Sequence, residues 1–142
     1  MIIEQLVTSF IASAAFGIIF NVPKSNLLQC GFVGMMGWLL YISCMKVSAN
    51  PIVSSLVAAF FVTVISQFLA KIYKTPIIIF SVSGIIPLVP GGLAYDAMRN
   101  IVENQYDLAV QLAAKAFMIS GAIAIGLIFS EVINQVIRKS RL

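Results

Sequence analysis

The sequence has 142 residues, of which 61% are hydrophobic and only 10% are charged. A soluble domain of this length needs more polar side chains to cover its surface, so the composition excludes that class and indicates an integral membrane protein. The formal net charge of +4 comes from scattered lysines and arginines, without a basic run with interleaved aromatic residues, which argues against nucleic-acid binding.

Three apolar stretches of membrane-spanning length come first. A span takes about 20 residues, and these stretches cover approximately residues 2–20, 27–45 and 51–70. The turn at residues 21–24 ends the first stretch, because proline disfavours helix at the preceding residue and asparagine favours a turn. Residues 46–50 form a short polar loop before the third stretch.

Small residues recur at spacings that let membrane helices approach closely. Gly31, Gly34 and Gly37 lie three residues apart in the second stretch. Ala122 and Gly126 form a pair four residues apart in the last stretch, which covers about residues 108–137. We interpret these five positions as helix-packing sites, since such patterns are typical of helix contacts in lipid. Two aromatic residues that follow the glycines, Trp38 and Tyr41, are typical of a membrane–water interface.

The fourth apolar segment, residues 77–89, is shorter and interrupted. As a helix it would reach about 20 Å, too little for about 30 Å of hydrocarbon. The residues that interrupt it, and that we predict to line a substrate path, are Pro87, Pro90, Gly91 and Gly92. Backbone breaks at membrane depth must be buried in protein or line a wet cavity, and broken helices at such sites bind substrates in secondary transporters. The alternative interpretation is an ordinary loop between two spans.

An amphipathic segment follows at residues 93–107. Its polar residues recur at helical spacing, which predicts one helix with a face formed by Asp96, Asn100, Glu103 and Asp107. Asp96 lies one turn into this helix, where it is a candidate to bind a substrate ammonium group or a coupling proton. The alternative is a solvated carboxylate paired with Arg99.

Five crossings would place the termini on opposite sides of the membrane. If the C-terminus is cytoplasmic, six basic residues lie on the cytoplasmic side, namely Lys24, Lys71, Lys74, Arg138, Lys139 and Arg141. Two basic residues, Lys46 and Arg99, then lie on the outer side. The positive-inside rule therefore predicts a cytoplasmic C-terminus. Lys115 and Glu131 flank the last apolar core and are interpreted as interfacial anchors. The alternatives are that Lys115 pairs with Asp96 or Glu103 and that Glu131 acts in a proton relay.

The sequence lacks the residues that several kinds of catalytic, nucleotide-binding and metal site require. The sequence contains no histidine, which excludes a His-based triad, proton shuttle or metal site. It contains no HExxH, Walker A or GxGxxG motif. Cys30 and Cys44 form no CxxC pair, and we interpret both as small hydrophobic residues. We expect a protein that is not an enzyme and that needs no cofactor or metal.

Two segments resemble the threonine/serine exporter family. They are Phe20-Asn21-Val22-Pro23, at the end of the first span, and Ile86-Pro87-Leu88-Val89-Pro90-Gly91-Gly92-Leu93-Ala94-Tyr95-Asp96-Ala97-Met98. The resemblance is closest to the short single-domain members, which correspond to the C-terminal membrane half of the full-length exporters. It marks further positions as site candidates, namely Tyr95 in the second segment and, as secondary candidates, Met98, Asn21 and Pro23. Gly92 and Asp96 depart from the family pattern.

The resemblance implies export of threonine and serine driven by the proton-motive force. Some family members are split into two proteins, and one split pair is associated with succinate export. The chain would then be the small subunit, with a larger membrane subunit as its partner and a small amino acid or carboxylate as its substrate. We therefore expect an all-α polytopic bundle of about five segments, formed as a single integral membrane domain over residues 1–142 of the plasma (inner) membrane. The alternatives are a non-transporting assembly subunit and a channel-like homo-oligomer.

Overall fold

The computed structural model describes residues 1–141, which form helices and contain no strand. Six α-helices follow one another, α1 (Ile2–Ile19), α2 (Leu27–Ser48), α3 (Pro51–Tyr73), α4 (Ile77–Ile85), α5 (Gly91–Val102) and α6 (Tyr106–Ser140). Two short 3-10 helices, Lys24–Asn26 and Ile86–Leu88, precede α2 and continue α4. The predicted all-α polytopic class is confirmed.

Four of the helices, α1, α2, α3 and α6, are long and apolar enough to cross a membrane. A fifth crossing is formed if Ile77–Leu88 and Gly91–Val102 act as one span, and these two segments are bent by 50° at their junction. The prediction of about five segments, with a short and interrupted fourth one, is therefore confirmed.

The helix pair α2 and α3 forms the centre of the bundle. Helix α1 packs against α2, α4 packs against both central helices, and α6 packs against α3. Helix α5 lies along α6. The side chains buried at the centre come from α2, α3 and α4 and include Cys30, Val33, Ala58, Val62 and Phe80.

Glycines and other small residues lie where the helices come closest. A Cβ atom on Gly37 would lie 2.5 Å from Cγ2 of Val62, and Gly34 directly faces the side chain of Ser13. Gly31 faces the ring of Phe10. In α2, therefore, the three glycines face α1 and α3, and the missing side chains allow these close approaches.

The contact between α3 and α6 likewise depends on small residues at the point of closest approach. A Cβ atom on Gly126 would lie 2.6 Å from the carbonyl oxygen of Leu56 and 3.1 Å from Cβ of Ala59. Ala122, one turn earlier, is 4% exposed. A Cβ atom on Gly126 would thus meet backbone and a short side chain, which have little room to move.

The register between α1 and α2 brings the beginning of α1 alongside the central part of α2. Gly17 lies next to Leu27, and twelve residues earlier Gln5 accepts a hydrogen bond from the indole N–H of Trp38 at 3.4 Å. Trp38 is eleven residues from the start of α2 and ten from its end, about 15 Å from either end at 1.5 Å per residue. The expectation that Trp38 lies at a membrane interface stays a prediction.

The predicted single amphipathic helix ending at Asp107 is also wrong. Helix α5 ends at Val102, and Asn104 adopts the left-handed conformation with φ 62°. The N–H of Gln105 donates to the carbonyl of Asn100 at 2.8 Å, and that of Asn104 donates to Ile101 at 3.1 Å. This pair of bonds is a Schellman motif, which ends a helix where asparagine tolerates the left-handed conformation. Asp107 consequently belongs to the first turn of α6.

Candidate functional site

The break between α4 and α5 is a sharp change of chain direction built around two prolines. Pro87 lies in the 3-10 turn, and Val89 is extended, with φ −63° and ψ 129°. Pro90 has φ −80° and ψ 55°, and the N–H of Gly91 donates to the carbonyl of Val89 at 2.8 Å. These values define an inverse γ-turn. Helix α5 therefore starts immediately after the turn.

The first turn of α5 leaves backbone N–H groups available. The N–H of Ala94 donates to the carbonyl of Pro90 at 3.2 Å, but those of Gly92 and Leu93 have no partner among the described residues. Such groups carry the positive end of the helix dipole. They can bind an anionic group such as a carboxylate.

A cavity of about 240 Å³, here called the break cavity, lies against this turn. Its walls come from α2, α3 and α6 through Trp38, Tyr41, Ser55 and Ile119, and from the break itself through Pro87, Leu88, Val89, Pro90, Gly92 and Leu93. The rings of Trp38 and Tyr41 stack with their centroids 5.1 Å apart. The break is thus bordered by three other helices on its inner side.

A second cavity, the Glu4 cavity, has a volume of about 380 Å³. Its walls come from the first turns of α1, from α2 and from the break, through Glu4, Gln5, Thr8, Ser9, Ala12, Trp38 and Pro87. Trp38 and Pro87 line both cavities. These two side chains therefore form the boundary between them.

The outer side of the break faces an apolar groove of about 440 Å³ between α5 and α6. Met98 of α5 and Phe117 of α6 line it, together with Val89, Pro90 and Gly91 of the break. Phe117 is 81% exposed, which leaves this groove without a cover in the single chain.

The structure brings four of the predicted site residues together and separates the others. Pro87, Pro90 and Gly92 line the break cavity, while Gly91 lines the groove. Tyr95 and Asp96 are exposed on α5, and neither lines the two cavities or the groove. Met98, a secondary candidate, lines the groove only.

The alternative interpretation of Asp96 as the partner of Arg99 is wrong. The Nε–H of Arg99 donates to Oε1 of Glu103 at 2.9 Å, one turn later on the same exposed face. This is the single ion pair among residues 1–141, so the alternative pairings of Lys115 are also not formed. Residues three and four apart both face each other on a helix, so the spacing allows either partner.

Asn21 and Pro23 lie away from the break, at the turn before α2. Asn21 is left-handed with φ 58°, and the N–H of Val22 donates to the carbonyl of Gly17 at 2.9 Å. These features form a second Schellman motif, which ends α1. Asn21 therefore has a local structural role in the turn.

Glu131 links α6 to α3. Its Oε2 accepts a hydrogen bond from Nε2 of Gln67 at 3.2 Å, and its Oε1 accepts one from Nε2 of Gln135 at 3.3 Å. Gln67 also lies 3.4 Å from the carbonyl of Ser130. The carboxylate that the sequence indicates as an interfacial anchor thus takes part in a contact between two helices.

Sequence reasoning missed the residues that complete the two cavities, namely Glu4, Gln5, Trp38, Tyr41 and Ser55. A signal for Glu4 was present, because it is the only charged residue before Lys24 and an ionisable residue in an apolar span suggests a functional site. No group of His, Cys, Asp and Glu side chains in the described part of the chain is arranged to hold a metal ion.

Comparison with known families adds one match. The family model described as "Threonine/Serine exporter, ThrE" matches residues 5–133. This range includes both segments of the resemblance and the whole break. No solved structure matches the chain.

Proposed function

The chain belongs to the threonine/serine exporter family, and we propose that it is the small membrane subunit of a secondary exporter for small polar metabolites. It works together with a larger membrane subunit of the same family. Its substrates are amino acids of the threonine/serine type or small carboxylates such as succinate, and the proton-motive force drives their export. The complex lies in the plasma (inner) membrane, with the C-terminus of this chain in the cytoplasm.

The observation that carries this proposal is the broken helix. It places two free N–H groups, on Gly92 and Leu93, at a cavity bordered by three helices. In hydrocarbon, unpaired backbone groups cost several kcal/mol each unless protein or water surrounds them. A helix break with this cost is a recurring feature of binding sites in secondary transporters.

The exposed side of the break supports the need for a second subunit. Gly91 and Gly92 have no atom within 4 Å of the position of a Cβ, and the groove beside them is open. A substrate path through this region needs a wall on that side. The larger subunit of a split exporter would supply it.

The direction of the helices supports a cytoplasmic C-terminus. Gly126 packs against Leu56 and Glu131 against Gln67, so α6 and α3 run in the same direction. The end of α6 therefore lies on the side where α3 ends and where α2 begins. Six basic residues lie on that side, namely Lys24, Lys71, Lys74, Arg138, Lys139 and Arg141. Such an excess of positive charge is typical of the cytoplasmic face.

Paired expression tests the function. Cells loaded with threonine, serine or succinate should export one of these substrates only when this chain and its larger partner are both produced. Normal efflux after deletion of this chain, in a strain without a paralogue, would reject the proposal.

A matched pair of variants at one position tests the break. Gly92→Pro removes a free N–H in the first helical turn, where proline is tolerated, while Gly92→Ala retains it. Loss of a hydrogen bond to a charged group costs about 1.5–3 kcal/mol, so efflux by the proline variant should be about ten- to a hundredfold lower than by the alanine variant. Equal efflux in complexes of equal abundance would contradict a role of this N–H.

The open groove between α5 and α6 favours a second candidate function, that of a non-transporting assembly subunit. On this alternative, deletion lowers the abundance of the larger subunit, and substitutions at Pro90 or Gly91 leave the flux through an intact complex unchanged. Immunoblotting of the partner, together with efflux normalised to its abundance, separates the two functions.

A further inference from the structure

The Glu4 cavity combines a carboxylate with an aromatic ring beside the break. Gln5 is hydrogen-bonded to Trp38, which occupies the middle of α2. Glu4 precedes Gln5 in the first turn of α1 and is exposed. An ionisable residue within an apolar span is a candidate functional group.

The carboxylate of Glu4 has no cationic partner in the structure. No Lys or Arg side chain and no amino terminus lies within 4 Å of it, since Arg99–Glu103 is the one ion pair in residues 1–141. Two neighbouring polar groups of the cavity, the side-chain oxygen of Gln5 and the hydroxyl of Thr8, form hydrogen bonds with other groups. Gln5 accepts from Trp38, and the hydroxyl of Thr8 donates to the backbone carbonyl of Glu4 at 2.7 Å.

We propose that the Glu4 cavity binds the primary ammonium group of a zwitterionic amino acid. Glu4 supplies the countercharge, and the indole ring of Trp38, which lines the same cavity, supplies a cation–π contact. This inference deepens the proposed export function and rests on it. It also divides the two substrate classes, because a dicarboxylate such as succinate would bring like charges together at Glu4.

The position of the cavity relative to the break gives the ligand an orientation. Trp38 and Pro87 line both cavities, and the free N–H groups of Gly92 and Leu93 lie at the second one. An amino acid with its ammonium group at Glu4 therefore has a site for its carboxylate beyond the Trp38–Pro87 boundary. Passage from one cavity to the other requires these two side chains to separate.

The chain carries its own reporter for this site, because Trp38 is its only tryptophan. The full chain, purified in mild detergent, is titrated with L-serine, with ethanolamine, which lacks the carboxylate, and with glycerate, which carries a hydroxyl in place of the ammonium group. Succinate is the fourth ligand. We expect serine and ethanolamine to change the emission of Trp38. Trp38 also lines the break cavity, where a carboxylate can bind, so glycerate and succinate can change the emission too, but their apparent Kd should not depend on Glu4.

The variant Glu4→Gln should raise the apparent Kd for serine about tenfold or more, since a hydrogen bond to a charged group is lost. Glu103→Gln is the matched control, because it makes the same chemical change on an exposed residue paired with Arg99, and its Kd should stay within about twofold. Circular dichroism checks the helix content of both variants. If Glu4→Gln does not fold, the response of the unaltered chain to ethanolamine, which has no carboxylate to bind at the break, decides the question.

Three results would overturn the inference: no response to serine, no response to ethanolamine, or an unchanged Kd for serine in folded Glu4→Gln. The export function is judged separately by efflux. Efflux that requires the chain, combined with any of these three results, rejects the ammonium site alone. Ammonium binding that depends on Glu4, combined with efflux that does not require the chain, rejects the exporter function alone.

Discussion

The glycines of the packed bundle and those of the break have opposite surroundings. A Cβ on Gly84 in α4 would lie 2.5 Å from Cγ1 of Val33, and one on Gly126 would lie 2.6 Å from a backbone oxygen. At Gly91 and Gly92, by contrast, no atom lies within 4 Å of that position. The first group lets helices touch, whereas the second leaves the backbone of the break uncovered.

This difference separates stability from function. No glycine in residues 1–141 has a positive φ, so none of these positions is reserved for glycine by its backbone conformation. What matters is the space around each one. We expect substitutions in the bundle to lower the free energy of unfolding, and substitutions at the break to act on transport.

The largest loss is expected for Gly126→Ala. The added methyl group would meet the backbone of α3 at Leu56 and Phe60, which cannot move aside locally, so the variant should lose about 2–3 kcal/mol of unfolding free energy. Unfolding in mixed detergent micelles measures it. Gly121→Ala is the control, because it lies on the same helix but a Cβ there would meet nothing within 4 Å. An equal loss of unfolding free energy in this control would mean that close packing at Gly126 is not the cause.

A smaller loss, about 1–2 kcal/mol, is expected for Gly37→Ala. The obstacle here is a side-chain methyl, Cγ2 of Val62, which can shift more easily than backbone. In the double variant Gly37→Ala/Val62→Ala, the two losses should be less than additive because the clash is removed. Strict additivity in a double-mutant cycle would contradict packing as the cause.

The polar contact between α3 and α6 should contribute less than packing. Gln67→Leu removes the hydrogen bond to Glu131, and such contacts in membrane proteins average about 0.6 kcal/mol. Gln135→Leu, which removes the bond within α6, is the comparison for the same unfolding assay. A loss larger than that of Gly126→Ala would mean that polar contacts, and not close approach, hold this helix pair.

The smallest effect on stability is expected at the break. Gly91→Ala meets open space and should change the unfolding free energy by no more than about 0.5 kcal/mol. The same assay measures it beside the bundle variants. A loss above 1 kcal/mol would mean that the break is packed more tightly than its surroundings indicate.

The features that could be predicted from the sequence have local causes. Pro87 and Pro90 lack a backbone donor and restrict their neighbours, so the interruption of the fourth segment follows from chemistry within a few residues. Span lengths are likewise local, because hydrophobic length alone sets them. The break and the helical class were therefore accessible without a structure.

The features that could not be predicted depend on contacts between distant segments or on competing local conformations. Trp38 lies next to Gln5 because of the register of two helices, and no pattern within α2 contains that register. Asp107 was assigned to the wrong helix because the left-handed conformation of Asn104 competes with continued helix. Arg99 had two carboxylates within reach, and the sequence did not distinguish Asp96 from Glu103.

The length of α6 makes part of the molecule accessible from one side only. Its 35 residues extend about 52 Å, well beyond about 30 Å of hydrocarbon. Since Gly126 lies level with Leu56, near the start of α3, the first turns of α6 and the α5 helix beside them project past the α2–α3 turn. With the orientation proposed above, a cysteine introduced as Val102→Cys in a Cys44→Ser background would be labelled by membrane-impermeant maleimides in intact cells, while buried Cys30 is protected.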